Sequence, residues 1–527
     1  MAAASIVAHY LTLPGGQIRL WRTGSGRDLV VVAGLTLAGS VIARLLAERC
    51  QGWRITVFEM PGIGGSSSHE ADGVEEIATA LHEALLPAGI ERFALVALDM
   101  AGAVAGALKR KCGVRVAASF LVGANDAAAW AARRHAPTDL TPRQDGMQLT
   151  ALWAFIRDCH LLKPDDPTQP ATGGGPIPEV DDLDATITAA SVQPERFAGL
   201  WATCATAIGR AEGRHVGLAD LPAALAGVDT GSSGRSMAPT EALPDGKLWH
   251  QYVETSRGRM HLRRAGGGKG RPVLVIPTGG GSSAQFEPVV VGLSENGARP
   301  AIAVDYLGNG LSDKPRRDVT VATLAEDMAA LIEALGFDSV DLWGSHTGSL
   351  VAIELAVQRP ELVNRAVLEG PVFVSPDFQS DLLARYFPPF RPDKWGLHLQ
   401  SIWNWRRDMF MFWPWYRDER AAARQLGVPS ARELHKYTIG ILESGLTYDL
   451  AYRSAFSYDT AARLPLLRRP ALVCAGPNDM LVNGVEEARR LAVPGVETML
   501  TPTTVWWPDP DPKLAAETLS IYRRYLA

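Results

Sequence analysis

The sequence places one histidine where catalysis is easiest to build. In VDLWGSHTGSLVAIELA (340–356) an apolar strand breaks sharply into a helical pattern, and His346 stands in the break between Gly344 and Gly348. A neutral imidazole held there is a competent general base or nucleophile. Ser345 precedes the centre of the break, so its hydroxyl is expected to point away from the imidazole. A similar break, FALVALDMAGAVAGALK (93–109), carries Asp99, with Ala97 and Ala101 where the other has glycines. A third turn, Gly476-Pro-Asn-Asp479, follows the β-branched run RPALVCAG (469–476) and presents the carboxylate of Asp479. Two glycine-rich stretches carry less. Gly266-Gly-Gly-Lys-Gly270 lacks the Ser/Thr of a phosphate loop and reads as a hairpin turn, while Gly62-Ile-Gly64 and Gly308-Asn-Gly310 are too short to signal a dinucleotide.

The elements that must position these residues recur along the chain. IRLWRTGSGRDLVVVAGLTLAGS (18–40) echoes MHLRRAGGGKGRPVLVIPTGGGSS (260–283), and WRITVFEMPGIGGSS (53–67) echoes RPAIAVDYLGNGLSD (299–313). Gly62 pairs with Gly308, Asp99 with His346 and Trp153 with Trp403, at steady offsets of 246, 247 and 250 residues. Such constancy across loops of unequal length predicts a duplicated domain. The short apolar runs suit strands buried on both faces of a parallel sheet. The expected organisation is a first lobe over 1–230, a Gly/Ser/Pro-rich linker over 231–246 and a complete second lobe over 247–527. Only the second copy continues into RPALVCAGPNDMLV, VETMLTPT and a closing helix, so the first lobe is expected to lack its last two strands.

Composition narrows the function classes. The 527 residues are 47% hydrophobic and 21% charged, which is globular rather than disordered. A net charge of −5 offers no basic field for nucleic acid or an anionic membrane. No apolar stretch is long enough to span a bilayer, and the N-terminus lacks the basic and apolar regions of a signal peptide. Five scattered cysteines suggest neither a disulfide framework nor a zinc site. The expectation is a cytoplasmic protein with a small-molecule substrate, no metal and no cofactor. Its lobes would pair within one chain or across a homodimer.

Strand–turn–helix units carrying Asp305-Tyr-Leu-Gly-Asn-Gly-Leu-Ser-Asp313, Gly344-Ser-His-Thr-Gly348 and Gly476-Pro-Asn-Asp479 resemble the α/β-hydrolase superfamily. The resemblance covers nearly all of 250–527 and most of 1–230. It implies an α/β fold of two hydrolase-like lobes, each a mostly parallel sheet flanked by helices with a helical cap, the first truncated after its cap. The second cap is expected at about 374–465. The departures from the family pattern are as informative. The elbow centre is His346 rather than a serine, cysteine or aspartate, and the closing loop TPTTVWWPDPDP (501–512) contains no histidine. A usual Ser-His-Asp triad cannot be assembled.

The resemblance implies that Asp479 occupies the family's acid position. With the usual histidine absent, His346 is expected to reach Asp479 directly, the carboxylate setting the imidazole tautomer. Thr347 and the Thr278-Gly279-Gly280 turn would supply an oxyanion hole. Asp99 resembles an aspartate nucleophile, but without the later strands an inactive elbow is the stronger expectation, a carboxylate entering the other lobe's pocket being the weaker. The cap stretch 393–416 holds five of the fourteen tryptophans, most of them read as cap core. Trp403, His398 and His435 are candidates for a pocket wall. Arg407–Asp408 and Arg157–Asp158 are read as buried ion pairs. The function implied is a cofactor-free enzyme acting on a small carbonyl or ester-type molecule through His346 and Asp479. The rivals are a lyase or isomerase using the same pair, and a non-catalytic binding or scaffold protein.

Overall fold

The computed structural model of the chain describes residues 5–66, 71–172, 177–231, 235–243, 246–294 and 297–527. The chain divides into two compact units, Met1–Glu241 with Pro392–Gln400, and Ala242–Arg391 with Ser401–Ala527. Both boundaries differ from the sequence expectation. Within the first unit Ala238 N–H donates to the Pro87 carbonyl at 2.8 Å, and Thr240 Oγ1 donates to the Tyr10 carbonyl at 2.8 Å. Residues 235–241 of the expected linker are therefore docked rather than free; its residues 232–234 and 244–245 lie outside the described residues. Residues 392–400, assigned from sequence to the second cap, also belong to the first unit, where Gln400 Nε2 donates to the Asp145 carbonyl at 2.6 Å.

In the first unit the strands are β1 (Val7–Leu13), β2 (Gly16–Thr23), β3 (Arg27–Val32), β4 (Trp53–Phe58), β5 (Phe93–Leu98), β6 (Val116–Val122) and β7 (Arg214–His215). They form one sheet in the order β1-β2-β4-β3-β5-β6-β7. In the second unit β8 (Trp249–Thr255), β9 (Gly258–Ala265), β10 (Val273–Ile276), β11 (Ala301–Val304), β12 (Val340–Ser345), β13 (Val363–Glu369), β14 (Ala471–Ala475) and β15 (Val496–Leu500) form one sheet in the order β8-β9-β11-β10-β12-β13-β14-β15. The first six strands of each unit thus share one order. β7 is a correction: a two-residue strand pairs parallel with β6 where the sequence reading has none. Its Gly- and charge-rich flanks hide so short a strand from any periodicity argument.

Every residue of β5 and of β12 is buried, as expected for central parallel strands covered by helices on both faces. Between β13 and β14 lie the helices Pro376–Arg385, Leu397–Met411, Ala431–Ser444 and Leu450–Phe456, the expected cap interval. No helix among the described residues is long and apolar enough to cross a membrane.

The turn after the fourth strand is braced in the same way in both units. Arg19 N–H donates to Ser66 Oγ at 2.9 Å, and His261 N–H donates to Ser312 Oγ at 2.8 Å. Arg19 and Trp21 bond Glu59, while His261 and Arg263 bond Asp305. Burial alone would raise the Asp305 carboxyl. The charges of His261 and Arg263 and hydrogen bonds from His261 and Ser283 outweigh it, holding the group well below the ordinary carboxylate range. Asp305→Ala should remove the carboxylate shared by the buried His261 and Arg263, leaving Arg263 with Glu287 at 3.2 Å, and lower unfolding free energy by roughly 1–3 kcal/mol in urea titrations at neutral pH.

Candidate active site

His346 sits between β12 and the helix Thr347–Gln358 at φ 48° and ψ −111°, a conformation L-residues seldom adopt. Its neighbours make the turn feasible. A Cβ added at Gly344 would lie 2.3 Å from the Gly348 carbonyl oxygen, and one at Gly348 would lie 1.9 Å from the Ile276 carbonyl oxygen. Only glycine fits either position. The helix start is thereby pressed against the end of β10, which sets Thr347 beside the Thr278–Gly280 turn. The first N–H groups of such a helix have no intrahelical partner. Thr278 Oγ1 and Thr347 Oγ1 are both buried without a hydrogen-bond partner. Gly279 and Gly280 lie under Tyr452, whose Cα and Cδ1 would each be 2.6 Å from an added Cβ there.

The imidazole meets the expected acid. His346 Nε2 lies 3.0 Å from each carboxylate oxygen of Asp479, and Leu481 N–H also donates to Asp479 Oδ1 at 2.8 Å. Because a carboxylate accepts, Nε2 carries the proton and Nδ1 the lone pair. Nδ1 has no hydrogen-bond partner among the described residues. The closing loop supplies Trp506, edge-on to His346 with ring centroids 5.3 Å apart. Ser345, the last residue of β12, is fully buried, its hydroxyl without a partner.

Three neighbours of the pair escape sequence reasoning. Gly370, at φ 54°, packs so closely that an added Cβ would be 2.7 Å from His346 Cδ2 and 3.3 Å from Asp479 Oδ2. Glu369, at the end of β13, accepts from Trp506 Nε1 and Tyr522 Oη at 2.6 Å each, and its backbone carbonyl accepts from His346 N–H at 2.9 Å. Burial pushes the Glu369 carboxyl up to about 7; the hydrogen bond from Tyr522 opposes the rise and the Asp479 charge adds to it. The third is Trp506 itself, visible in sequence only as one of two adjacent tryptophans in a loop without histidine.

Other expected site residues fall elsewhere. His398 belongs to the first unit, where Nε2 is 2.8 Å from Asp184 and Nδ1 3.3 Å from Asp393; two carboxylates hold it as a packing element. Trp403 and His435 are buried in the second cap, ring against ring at 6.3 Å. Neither Arg407–Asp408 nor Arg157–Asp158 forms an ion pair within 4.0 Å among the described residues, because adjacent positions on a helix point in different directions. In the first unit Asp99 keeps the elbow conformation at φ 38°. Its carboxylate accepts from Leu35 N–H at 2.9 Å, Thr36 N–H at 3.2 Å and Thr36 Oγ1 at 2.7 Å. Burial nonetheless raises its carboxyl, against those hydrogen bonds. A small, partly open depression nearby is lined by Leu35, Met60, Ile63, Ala190 and Phe197, with Glu59 its one carboxylate.

The strand order, elbow and cap interval agree. Each unit is an α/β fold, a mixed, mostly parallel sheet flanked by helices. Residues 271–401 match the alpha/beta hydrolase fold family. An uncharacterized protein of Mycobacterium tuberculosis is 36% identical over 110 residues, covering 21% of this chain and 32% of its own. Proline iminopeptidase of Heyndrickxia coagulans is 29% identical over 134 residues, covering 25% and 46% respectively. A 2-hydroxymuconate semialdehyde hydrolase of Pseudomonas putida is 31% identical over 146 residues, covering 28% and 48%. The chain thus spans between about a third and a half of the length of these relatives. An enol-lactonase structure from Burkholderia xenovorans superposes with a TM-score of 0.40 at 17% identity, covering 52% of this chain and 99% of that one.

Two outcomes follow from the packing around the pair. Gly370→Ala should destabilise the fold by roughly 1–3 kcal/mol in urea titrations, since alanine resists the positive φ and its methyl meets the His346 ring. The Glu369 carboxyl holds its proton to about pH 7 in the native state, whereas the unfolded chain releases it near about pH 4.3. The native state therefore binds more protons in that window, and stability contributed at low pH is lost as pH rises through it. Urea midpoints should fall across this range in the wild type and fall less in Glu369→Gln.

Proposed function

We propose that the second unit is a cofactor-free hydrolase acting on a small carbonyl or ester-type organic substrate through His346 and Asp479. The observation that carries this reading is the single-sided bonding of the imidazole. Asp479 accepts the Nε2–H hydrogen bond and leaves the Nδ1 lone pair unoccupied at the elbow, the position where the fold presents its reactive group. In this reading Nδ1 removes a proton from water as the water oxygen attacks the substrate carbonyl. The resulting imidazolium is stabilised by Asp479 and returns the proton to the leaving group. Backbone N–H groups of Thr347 and the Thr278–Gly280 turn face the developing oxyanion. Hydrolase names among the partial relatives support the reaction class.

The first unit is read as a duplicated copy that has lost catalysis. Its elbow carboxylate occupies the Leu35 and Thr36 N–H groups of its own turn, so Asp99 neither attacks a substrate nor leaves those donors free. Shared strand order and the matching brackets around Glu59 and Asp305 support common descent of the two units.

A panel of esters, lactones, β-diketones and organic halides, turned over by the wild type and variants in parallel, tests both readings. His346→Ala and His346→Ser should each nearly abolish turnover. Asp479→Asn should keep the fold and lose about 10²–10⁴-fold in kcat/KM. The double variant His346→Ala/Asp479→Asn should be no worse than His346→Ala, because the pair acts as one unit. Asp99→Asn should leave the rate unchanged. Full activity in His346→Ala would refute the catalytic assignment.

A further inference from the structure

Four arginines are buried to less than 9% exposure among the described residues: Arg19, Arg263, Arg299 and Arg406. The first three each face a carboxylate, Glu59 at 2.8 Å, Asp305 at 3.4 Å and Asp341 at 2.5 Å respectively. Arg406, 5% exposed on the cap helix Leu397–Met411, has none within 4.0 Å. Its nearest polar neighbours are Gln285 Oε1, 3.5 Å from Nη2, and Met409 Sδ, 3.4 Å from Nη1, and its Nε is buried without a partner. A guanidinium does not shed its proton to escape burial as a lysine does. Tyr437 and Trp405 lie 5.1 and 5.6 Å from its centre and ease the cost through their π faces without neutralising the charge.

Arg406 is not isolated from the candidate site. Gln285 follows the Thr278–Ser282 turn, Tyr437 bonds the Trp506 carbonyl, and the Trp506 ring faces His346. Arg406 also feels the hydroxyls of Tyr452 and Tyr386, which lie 3.0 Å apart over the Gly279–Gly280 turn. A second arginine shares these surroundings. Arg424 Nη1 donates to the Met409 carbonyl at 2.6 Å, while Nη2 is buried without a partner. Tyr386 and Tyr452 are among its electrostatic neighbours, and Asp479 is the one carboxylate among them. Gln285 Nε2 and Trp405 Nε1 are further buried donors without acceptors. The cap therefore brings a cationic, donor-rich group to the site; its carboxylate Glu443 lies 4.0 Å from Arg263, and no carboxylate among the described residues lies within 4.0 Å of Arg406 or Arg424.

We propose that Arg406, assisted by the free N–H of Arg424, receives a carboxylate group of the substrate, so that the substrate class is a small organic acid bearing a second, hydrolysable carbonyl. This rests on the reading of His346 and Asp479 as the reacting pair and adds the group that would orient the substrate beside them. A planar carboxylate fits the guanidinium fork through paired, charge-assisted hydrogen bonds and supplies the missing counter-charge. Arg406 is on this view a binding residue, and its loss removes recognition of the acid rather than the chemistry.

The test uses the full chain and calorimetric titration with adipate, benzoate and 3-phenylpropionate against their primary amides. The wild type should bind at least one acid about tenfold or more tightly than its amide, in keeping with a hydrogen bond to a charged group. Arg406→Met should abolish that preference, and Arg406→Lys should retain part of it. Thermal unfolding without ligand guards against misfolding. Arg406→Met should melt no lower than the wild type, since an uncompensated buried charge is replaced by an apolar chain of similar reach. The absence of any acid-over-amide preference in the wild type, or its survival in Arg406→Met, would overturn the proposal, as would a lowered melting temperature of that variant in the absence of ligand. His346→Ala separates the two readings. Retained acid binding with lost turnover supports both. Full turnover refutes the catalytic pair while leaving the anion site standing, and an inactive His346→Ala in a chain without acid preference refutes the anion site alone.

Discussion

The close approach of the Thr347–Gln358 helix to the end of β10 governs the whole candidate site. At Gly348 the Ile276 carbonyl stands where any Cβ would be, and at Gly344 the Gly348 carbonyl does the same. The chain must turn within one residue, and that residue, His346, takes a positive φ that costs on the order of 1–3 kcal/mol. The strain is held by β12, whose neighbours β10 and β13 pair with it in parallel register on either side. One consequence is directional. The imidazole leaves the sheet at the one place where the Asp479 turn, the Glu369 end of β13 and the Trp506 loop converge.

Burial then decides what those groups do. His346, Asp479 and Glu369 are each nearly inaccessible, so their mutual charges are weakly screened. Glu369 answers by holding its proton toward neutrality, whereas Asp479 gathers an imidazole N–H and a backbone N–H. The cap contributes charge of the opposite sign through Arg406 and Arg424. The first unit resolves the same elbow differently. There the shorter Asp99 side chain folds back on the Leu35–Thr36 turn and satisfies its donors internally. A histidine has no oxygen to offer those amides, and in the second unit its ring instead crosses to Asp479.

Much of this was legible from residue order. Small residues around a sharp strand-to-helix break identify the elbow, and uninterrupted apolar runs identify strands covered on both faces, because both signals depend on neighbours a few positions away. The pairing of His346 with Asp479, 133 positions apart, is reached from the sequence only through the resemblance to α/β hydrolases, which implies an acid at the Asp479 turn. Local rules also misled. Arg407–Asp408 looks like an ion pair in a string of letters, but a helix turns adjacent side chains apart. His398 looks like a pocket residue until Asp184 and Asp393 are seen to hold its ring.

The sequence by itself determined the two α/β lobes, the elbow and its histidine, and the absence of a histidine from the closing loop, since each is written in local periodicity or residue identity. Only the tertiary structure decided that residues 392–400 pack with the first unit, that Arg214–His215 adds to its sheet, and that Glu369, Gly370 and Trp506 surround the pair. It alone revealed that Arg406, among the buried arginines described, lacks a carboxylate. The physical reason is the same in each case. Burial, close approach and counter-charge depend on which distant segments fold onto a residue, and nothing in its neighbouring letters encodes that.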